Sequence, residues 1–108
     1  MIKPGDVVTV DFPGALGIKR RPAVVVSTDI YHTYRPDVVL GLLTTQITEA
    51  TEPTDYVLQD WSVAGLHNLS AFRVFLATLP AASVLKIGHL SDRDWQEIQL
   101  RLHAALAV

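Results

Sequence analysis

Short runs of β-branched residues, each ended by glycine, proline or a polar turn, fill most of this chain and limit what it can fold into. Such residues favour extended backbone, and glycine and proline mark the turns between strands. No long helical periodicity appears before the last segment. The pattern therefore predicts a mainly β protein, and 108 residues are enough for one domain spanning 1–108.

Five strands follow from these runs, with loops between them. The predicted strands cover residues 6–11, 22–27, 37–44, 55–58 and 71–79. The second is apolar almost throughout, which is typical of a strand buried on both faces. We expect a loop over 13–20, where Pro13, Gly14 and Gly17 interrupt the pattern. A second loop is expected over 29–35, because Pro36 disfavours helical backbone at the residue before it.

One helix is predicted, at the end of the chain. Ser91 has the residue type and position of an N-cap, and Asp94 three residues later completes a capping-box spacing. An apolar stripe at helical spacing follows, formed by Trp95, Ile98, Leu102 and Ala105. Short strands followed by one amphipathic helix predict a small barrel with the helix packed on it.

The composition excludes several classes of site. The chain has no cysteine, which removes disulfides, thiolate metal ligands and cysteine nucleophiles. Its four histidines share no metal-ligand spacing, so we expect no metal and no cofactor. No apolar run approaches the roughly 20 residues that span a bilayer, and the N-terminus lacks the apolar core of a signal peptide. We expect a soluble cytoplasmic protein without a membrane partner.

The distribution of charge matters more than its sum for a nucleic-acid partner. The net charge of −2 counts slightly against phosphate binding. Lys19, Arg20 and Arg21 nevertheless form a basic cluster, and Arg35 and Arg73 follow later in the chain. Residues 47–72 carry four acids and no lysine or arginine. The sequence is thus compatible with a basic face beside an acidic one.

Several ordered segments carry a family resemblance. Residues 4–12 contain a Gly-Asp strand start, and residues 21–27 an Arg-Pro pair followed by valines. Residues 39–46 form a strand that ends in Thr-Thr-Gln. Residues 61–79 hold a Gly-Leu turn and a strand with Ser and Arg, and 87–91 an Ile-Gly-x-Leu entry to the last helix. Together, over nearly the whole chain, they resemble the PemK/MazF family of toxin endoribonucleases.

The resemblance implies a fold, an activity and partners. The fold is an SH3-like small β-barrel, mainly β with a C-terminal α-helix. The activity is metal-independent, sequence-selective cleavage of single-stranded messenger RNA by the toxin of a type II toxin–antitoxin system. The implied partners are the RNA substrate, a cognate antitoxin protein and a second copy of the chain in a homodimer.

The resemblance also assigns three residues to an active site. Arg21 matches the family's Arg-Pro arginine, and Thr44 matches its strand-end threonine at the scissile phosphate. Arg73 matches an arginine that some members use as an acid or a phosphate clamp. Further candidates for contacts with the RNA are Lys19, Arg20, Thr45, Gln46, His32 and Arg35.

These residue types suit RNA cleavage in which the substrate's own 2′-hydroxyl attacks the phosphate. The enzyme must help to remove a proton, stabilise a doubly charged phosphorane and help the 5′-oxygen to leave. Arginine suits the second task because its planar fork matches phosphate oxygens and stays charged. A threonine hydroxyl adds a neutral hydrogen bond to the same phosphate.

The sequence does not identify the proton acceptor. Phe75 stands where the family often has a polar or charged residue, and the loop before Arg20 lacks the acidic or amide side chains often found there. His32 has a suitable residue type because histidine titrates near neutral pH, but it is equally an ordinary loop residue. Asp29 and Asp37 stay open as candidates.

A second hypothesis gives these residues ordinary structural roles. A basic cluster suits a solvated loop, threonine is common at strand ends, and Arg73 suits a salt bridge across the barrel. The competing function is therefore a catalytically decayed barrel that binds peptide or RNA. RNA cleavage that depends on Arg21 distinguishes the two hypotheses.

Overall fold

The computed structural model describes residues 1–14 and 17–108 and contains six strands and two α-helices within them. In chain order these are β1 (Asp6–Gly14), β2 (Gly17–Val25), α1 (Asp29–Tyr34), β3 (Asp37–Thr44), β4 (Tyr56–Val57), β5 (Ala71–Pro80), β6 (Leu85–His89) and α2 (Asp92–Ala105). Single 3-10 turns lie at Ile47–Glu49 and Ala81–Ser83. The protein is mainly β with a C-terminal helix, as the sequence pattern predicts.

All six strands belong to one antiparallel sheet in the order β4-β5-β3-β2-β1-β6. The register of β3 and β5 shifts between the pairs Gly41–Leu76 and Leu43–Phe72. Three residues of β5 (73–75) therefore stand opposite Leu42 alone, which is the geometry of a β-bulge. Bulges bend a strand and increase its twist, so this one contributes to the curl of the sheet.

Both faces of the sheet are buried near its middle. One face packs with α2 and the chain around β4 in a core that includes Val7, Val24, Leu43, Phe72 and Ile98. The opposite face has its own cluster, formed by Val8, Val10, Ala23, Val25, Val38 and Leu40. The buried run at the end of β2 confirms the prediction of a strand covered on both sides.

The segment between β4 and β5 closes the curl by reaching across to β6. Gly65 has a φ of 87°, a conformation that favours glycine, and its backbone lies against Ile87. A side chain at Gly88 would collide with the carbonyl oxygen of Ala64. The glycines at both positions therefore permit a close backbone approach. The sheet with this segment forms a curled half-barrel, and the prediction of a small SH3-like β-barrel with a C-terminal helix is confirmed.

Two predicted loops are wrong. Residues 29–34 form α1, because the Thr28 hydroxyl caps it by accepting a hydrogen bond from the amide of Tyr31. Pro36 acts only on Arg35, whose backbone is extended and ends the helix. The expected loop over 13–20 is mostly strand: Pro13 pairs with Ile18 and Gly14 with Gly17, so β1 and β2 form a long hairpin. Residues 15 and 16 lie outside the described part of the chain.

The helix at the end of the chain begins as predicted, but the carboxylate of Asp94 bonds to residues outside the helix rather than closing a capping box. The Ser91 hydroxyl accepts a hydrogen bond from the amide of Asp94. The buried carboxylate of Asp94 accepts hydrogen bonds from the Tyr56 hydroxyl at 2.6 Å, the Gln59 amide at 3.1 Å and the Asp60 amide at 2.8 Å. Asp94 thus ties α2 to the end of β4.

Among the described residues, neither helix is long and apolar enough to cross a membrane.

Candidate active site

Three of the predicted site residues lie on one face of three neighbouring strands. Strands β2 and β3 pair as far as Ala23 and Leu42. Arg21 lies two residues before Ala23 and Thr44 lies two residues after Leu42, so alternation places both side chains on the same face of the sheet. Across β3, Thr44 pairs with Ala71, and Arg73 lies two residues along β5 from that partner. We call these residues the Arg21–Thr44–Arg73 row.

Arg21 has a rigid foundation. It pairs with Val10 of β1, which is 1% exposed, and Pro22 and the buried Ala23 follow it in β2. Arg21 itself is half-buried. Pairing with β1 at Arg21, and with both neighbouring strands from Ala23 onwards, holds the start of the side chain and leaves the guanidinium end to reach the surface.

Thr44 is positioned by the turn that follows it. Its hydroxyl oxygen accepts a hydrogen bond from the Gln46 amide at 3.1 Å. The hydroxyl proton can therefore be donated to another acceptor, such as a phosphate oxygen. The turn places a hydrogen-bond donor between the two arginines of the row.

Arg73 is held by two carboxylates, as the structural hypothesis expects. Its Nε lies 3.7 Å from Asp55 Oδ1, and its Nη1 lies 3.9 Å from Glu49 Oε2. Charge-assisted hydrogen bonds are typically about 2.7–2.9 Å long, so both contacts are loose. The Arg73 side chain is 45% exposed, and an anion from solvent can reach it.

The candidates that lie near Arg21 and Thr44 are spread over both faces of the sheet. Lys19 is exposed two residues before Arg21, on the face of the row. Arg20 lies on the opposite face and pairs with Asp11 at 3.1 Å. Thr45 also turns to that side, where it lines a cleft of about 210 Å³ with Thr9 and Pro22. Gln46 is exposed at the turn after β3.

His32 and Arg35 lie at the far end of the sheet from the row. His32 Nε2 is 2.6 Å from the hydroxyl of Ser27, which also accepts a hydrogen bond from the Val39 amide. Ser27 is six residues from Arg21, about 20 Å along extended chain at about 3.3 Å per residue. Arg35 ends α1 in the same region. The structure therefore does not bring these two residues together with Arg21.

Sequence reasoning missed Glu49, whose carboxylate lies beside Arg73. The available signal was its position, five residues after Thr44 in a segment rich in acids. The contact depends on the 3-10 turn at Ile47–Glu49, which no sequence pattern indicated. In the described part of the chain, no group of three or more histidine or acidic side chains is arranged to hold a metal ion.

Two cations flanking a hydroxyl donor form an arrangement that suits a phosphate group. The family comparison agrees with this chemistry. The model of the PemK-like, MazF-like toxins of type II toxin–antitoxin systems matches residues 3–106. The chain belongs to this family. MazF-family toxins are known as endoribonucleases, so this chain is a toxin of an endoribonuclease family. No curated protein matches the chain in sequence.

Solved structures of MazF toxins share the fold over almost the full length. An endoribonuclease in complex with its cognate antitoxin, from a mycobacterial species, has a TM-score of 0.79 and 22% identity, covering 100% of this chain and 97% of that chain. The MazE–MazF complex from Deinococcus radiodurans has a TM-score of 0.74 and 18% identity, covering 99% and 96%. Mycobacterium tuberculosis toxin MazF-mt6 has a TM-score of 0.69 and 16% identity, covering 93% and 94%.

Proposed function

We propose that this MazF-family toxin cleaves single-stranded messenger RNA in the cytoplasm, sequence-selectively and without a metal. In the proposed reaction the 2′-hydroxyl beside the scissile bond attacks the phosphorus. Charge builds up on the phosphate oxygens, and donors fixed in advance lower the energy of that state. The observation that carries the proposal is the Arg21–Thr44–Arg73 row on one face of β2, β3 and β5.

Each member of the row has a role in this proposal. Arg21, anchored beside the buried Val10, binds two phosphate oxygens with its planar fork. Thr44 donates its hydroxyl proton to the same phosphate. Arg73, held by loose carboxylate contacts, turns its other N–H donors to the phosphate when RNA binds.

RNA on either side of the cut contacts neighbouring residues in the proposal. Lys19 extends the basic face along β2 towards the hairpin tip, and Gln46 presents an amide beside Thr44. Arg20 and Thr45 lie on the other face and contact only RNA that passes around the strand ends. His32 and Arg35 have no part in it, because they lie at the far end of the sheet.

A cognate antitoxin and a second copy of the chain are the proposed protein partners. The solved relatives in complex with antitoxins make the first plausible. An acidic antitoxin segment that folds on binding would compete with RNA for the row. Exposed apolar side chains such as Phe75, which is 66% exposed, favour an interface with a second copy of the chain, because such an interface would remove them from water.

The alternative is a barrel that binds RNA or peptide without cutting. One observation favours it: Glu49 and Asp55 already engage Arg73, so the row has fewer uncommitted positive charges than its residue types suggest. The two functions differ in whether a phosphodiester bond breaks, and cleavage is therefore the measurement that separates them.

The test compares three proteins on a long single-stranded RNA in excess chelator: wild type, Arg21→Ala and Arg20→Ala. The control removes the same charge one residue away, on the opposite face. We expect discrete cuts by the wild type, a loss of at least about 100-fold in Arg21→Ala, and a smaller change in Arg20→Ala. No cutting by folded wild type across a varied set of RNAs would favour the binding module. Equal losses in both variants would contradict the specific role of Arg21.

A further inference from the structure

The row contains no group that can take a proton at neutral pH. Arginine stays protonated and the threonine hydroxyl is a poor base, so attack by a 2′-hydroxyl needs another residue. The described chain contains every acid and every histidine of the sequence. The question is therefore which of them lies beside the row.

Glu49 lies beside it and is available. The 3-10 turn begins three residues after Thr44, and the Glu49 amide donates a hydrogen bond to the Gln46 carbonyl. This turn carries the carboxylate back to Arg73, where Oε2 lies 3.9 Å from the guanidinium. The Glu49 side chain is 65% exposed, so it can move towards a bound substrate at little cost.

Asp55 contacts the same arginine but is committed to a structural role. Its side chain is 5% exposed, and Oδ2 accepts a hydrogen bond from the Glu52 amide at 3.1 Å. A carboxylate fixed in a turn cannot approach a ribose hydroxyl without breaking that turn. Asp55 therefore orients Arg73 rather than reaching the substrate.

Glu52 is the nearest competitor, because it lines a pocket of about 170 Å³ with Asp55 and Arg73, but the ion pairs of Arg73 are with Glu49 and Asp55. Asp29 begins α1, beside His32. The other candidates lie elsewhere. Asp11 is on the opposite face in its ion pair with Arg20. His67 lines the cleft on that face with Thr45. Asp37 begins β3, seven residues before Thr44 and about 23 Å away along extended chain. His32 is bonded to Ser27 at the same far end.

We propose that Glu49 is the general base of the RNA cleavage, an inference that rests on the proposed function. The Glu49 carboxylate takes the proton of the 2′-hydroxyl as the 2′-oxygen bonds to phosphorus. The bond from phosphorus to the 5′-oxygen breaks, and that oxygen takes a proton from solvent water. The products are a 2′,3′-cyclic phosphate and a 5′-hydroxyl end, and Glu49 returns its proton to water.

Arg73 connects the base to the phosphate in this arrangement. Its guanidinium has five donors in a fixed fork, enough to keep Glu49 on one edge while another edge binds a phosphate oxygen. The carboxylate and the reacting phosphate are then brought to the same cation. Arg73 lies two residues along β5 from Ala71, the partner of Thr44, so its long side chain extends on the same face as Thr44.

The test replaces Glu49 by glutamine, which keeps the shape of the side chain and cannot accept a proton at neutral pH. Glu52→Gln is the comparison variant, because Glu52 is exposed in the pocket beside Arg73 but contributes its backbone amide rather than its carboxylate to the turn. A loss in Glu52→Gln as large as that in Glu49→Gln would overturn the assignment of the base to Glu49. We expect the cleavage rate of Glu49→Gln to fall by about 100- to 10,000-fold and that of Glu52→Gln to change little.

Two further readouts distinguish a base from a structural residue. The wild-type rate should fall as pH is lowered, because a protonated carboxyl cannot accept the proton, and this fall should disappear from the residual rate of Glu49→Gln. Binding of an RNA with a 2′-deoxy nucleotide at the cut should be unchanged or tighter in the variant. Glu49→Asp should recover part of the rate.

Equal cleavage by Glu49→Gln and wild type would overturn the inference and leave the proposed function intact. Loss of cleavage together with loss of binding would also overturn it, because Glu49 would then position the substrate site. A larger loss in His67→Gln than in Glu49→Gln would assign the base to the other face. If folded wild type does not cut RNA at all, the proposed function fails first.

Discussion

Two polar regions of this toxin use similar residues in opposite ways. Around Asp94, a fully buried carboxylate accepts three hydrogen bonds of 2.6–3.1 Å, and burial together with the bond to Asp94 raises the pKa of Tyr56. Around Arg73, two carboxylates lie 3.7 and 3.9 Å from a cation that is 45% exposed. The first region is closed to solvent and the second is open to it.

The difference teaches how to separate structural from functional charge in this molecule. A buried charge must be fully hydrogen-bonded, since an unsatisfied one costs several kcal/mol, so its partners cannot exchange. An exposed ion pair contributes about 0–1 kcal/mol and exchanges readily with a ligand. We expect the buried region to determine stability and the open one to determine activity.

The largest expected effect is on the buried region. Replacing Asp94 by alanine leaves three donors without an acceptor, and we expect the free energy of unfolding to fall by about 3–5 kcal/mol. Urea denaturation measures it. Asp92→Ala, at an exposed position in the first turn of the same helix, should cost no more than about 1 kcal/mol. Similar losses in both variants would show that the buried network contributes little.

A second buried acid should make stability depend on pH. Burial by itself raises the pKa of Asp6, but hydrogen bonds from His89, the Lys3 amide and Lys86 outweigh it and hold the pKa below its usual value. Because the unfolded chain then binds more protons, this contribution is present above about pH 4 and is lost as pH falls through the folded pKa.

Asp6→Asn tests this contribution. The variant should lose about 1.5–3 kcal/mol of unfolding free energy at pH 7, because hydrogen bonds to a charged acceptor are replaced by neutral ones. Its stability should also decline less than that of wild type between pH 5 and lower values. Parallel declines, measured by urea denaturation at each pH, would assign the acid sensitivity to other residues.

Around Arg73, a substitution should affect stability little and RNA cleavage strongly. Arg73→Ala removes both loose ion pairs, yet we expect a stability loss below about 1 kcal/mol, because both contacts are longer than a hydrogen bond and the buried Asp55 keeps its bond from the Glu52 amide. RNA cleavage by the same variant should fall at least about 10-fold. A large loss of stability would show that Arg73 has a structural role, and it would support the hypothesis of a barrel that binds RNA or peptide without cutting.

The smallest expected effect on stability is at Thr44. Thr44→Val removes a hydroxyl whose hydrogen bond is to an exposed backbone amide, so the free energy of unfolding should change by about 0.5 kcal/mol or less. Cleavage should still fall, because the donor to the phosphate is lost. Thr45→Val is the control on the opposite face. If it lowers cleavage as much as Thr44→Val does, the RNA path includes the cleft beside Thr9 and Pro22.

The sequence predicted five of the six strands and missed β6 (Leu85–His89), part of which was interpreted only as the entry to the last helix. Residues 37–44 form β3 as expected, because alternation and β-branching act locally. The residues of α1 were misread because the effect of Pro36 was extended beyond Arg35. The length of the β1–β2 hairpin was missed because proline and glycine were taken as breaks, whereas Pro13 lies within a paired strand.

By itself, the sequence determined the family and the mainly β fold, and it placed Thr44 at the end of one strand and Arg73 within another, whereas it left Arg21 just outside the strand that contains it. These follow from local backbone preference and from an ordered set of motifs. Only the tertiary structure decided which side chains meet. The pairing of β2, β3 and β5 puts three distant residues on one face, and a turn brings Glu49 to Arg73. Contacts of this kind depend on strand register and burial across the chain, which no local pattern specifies.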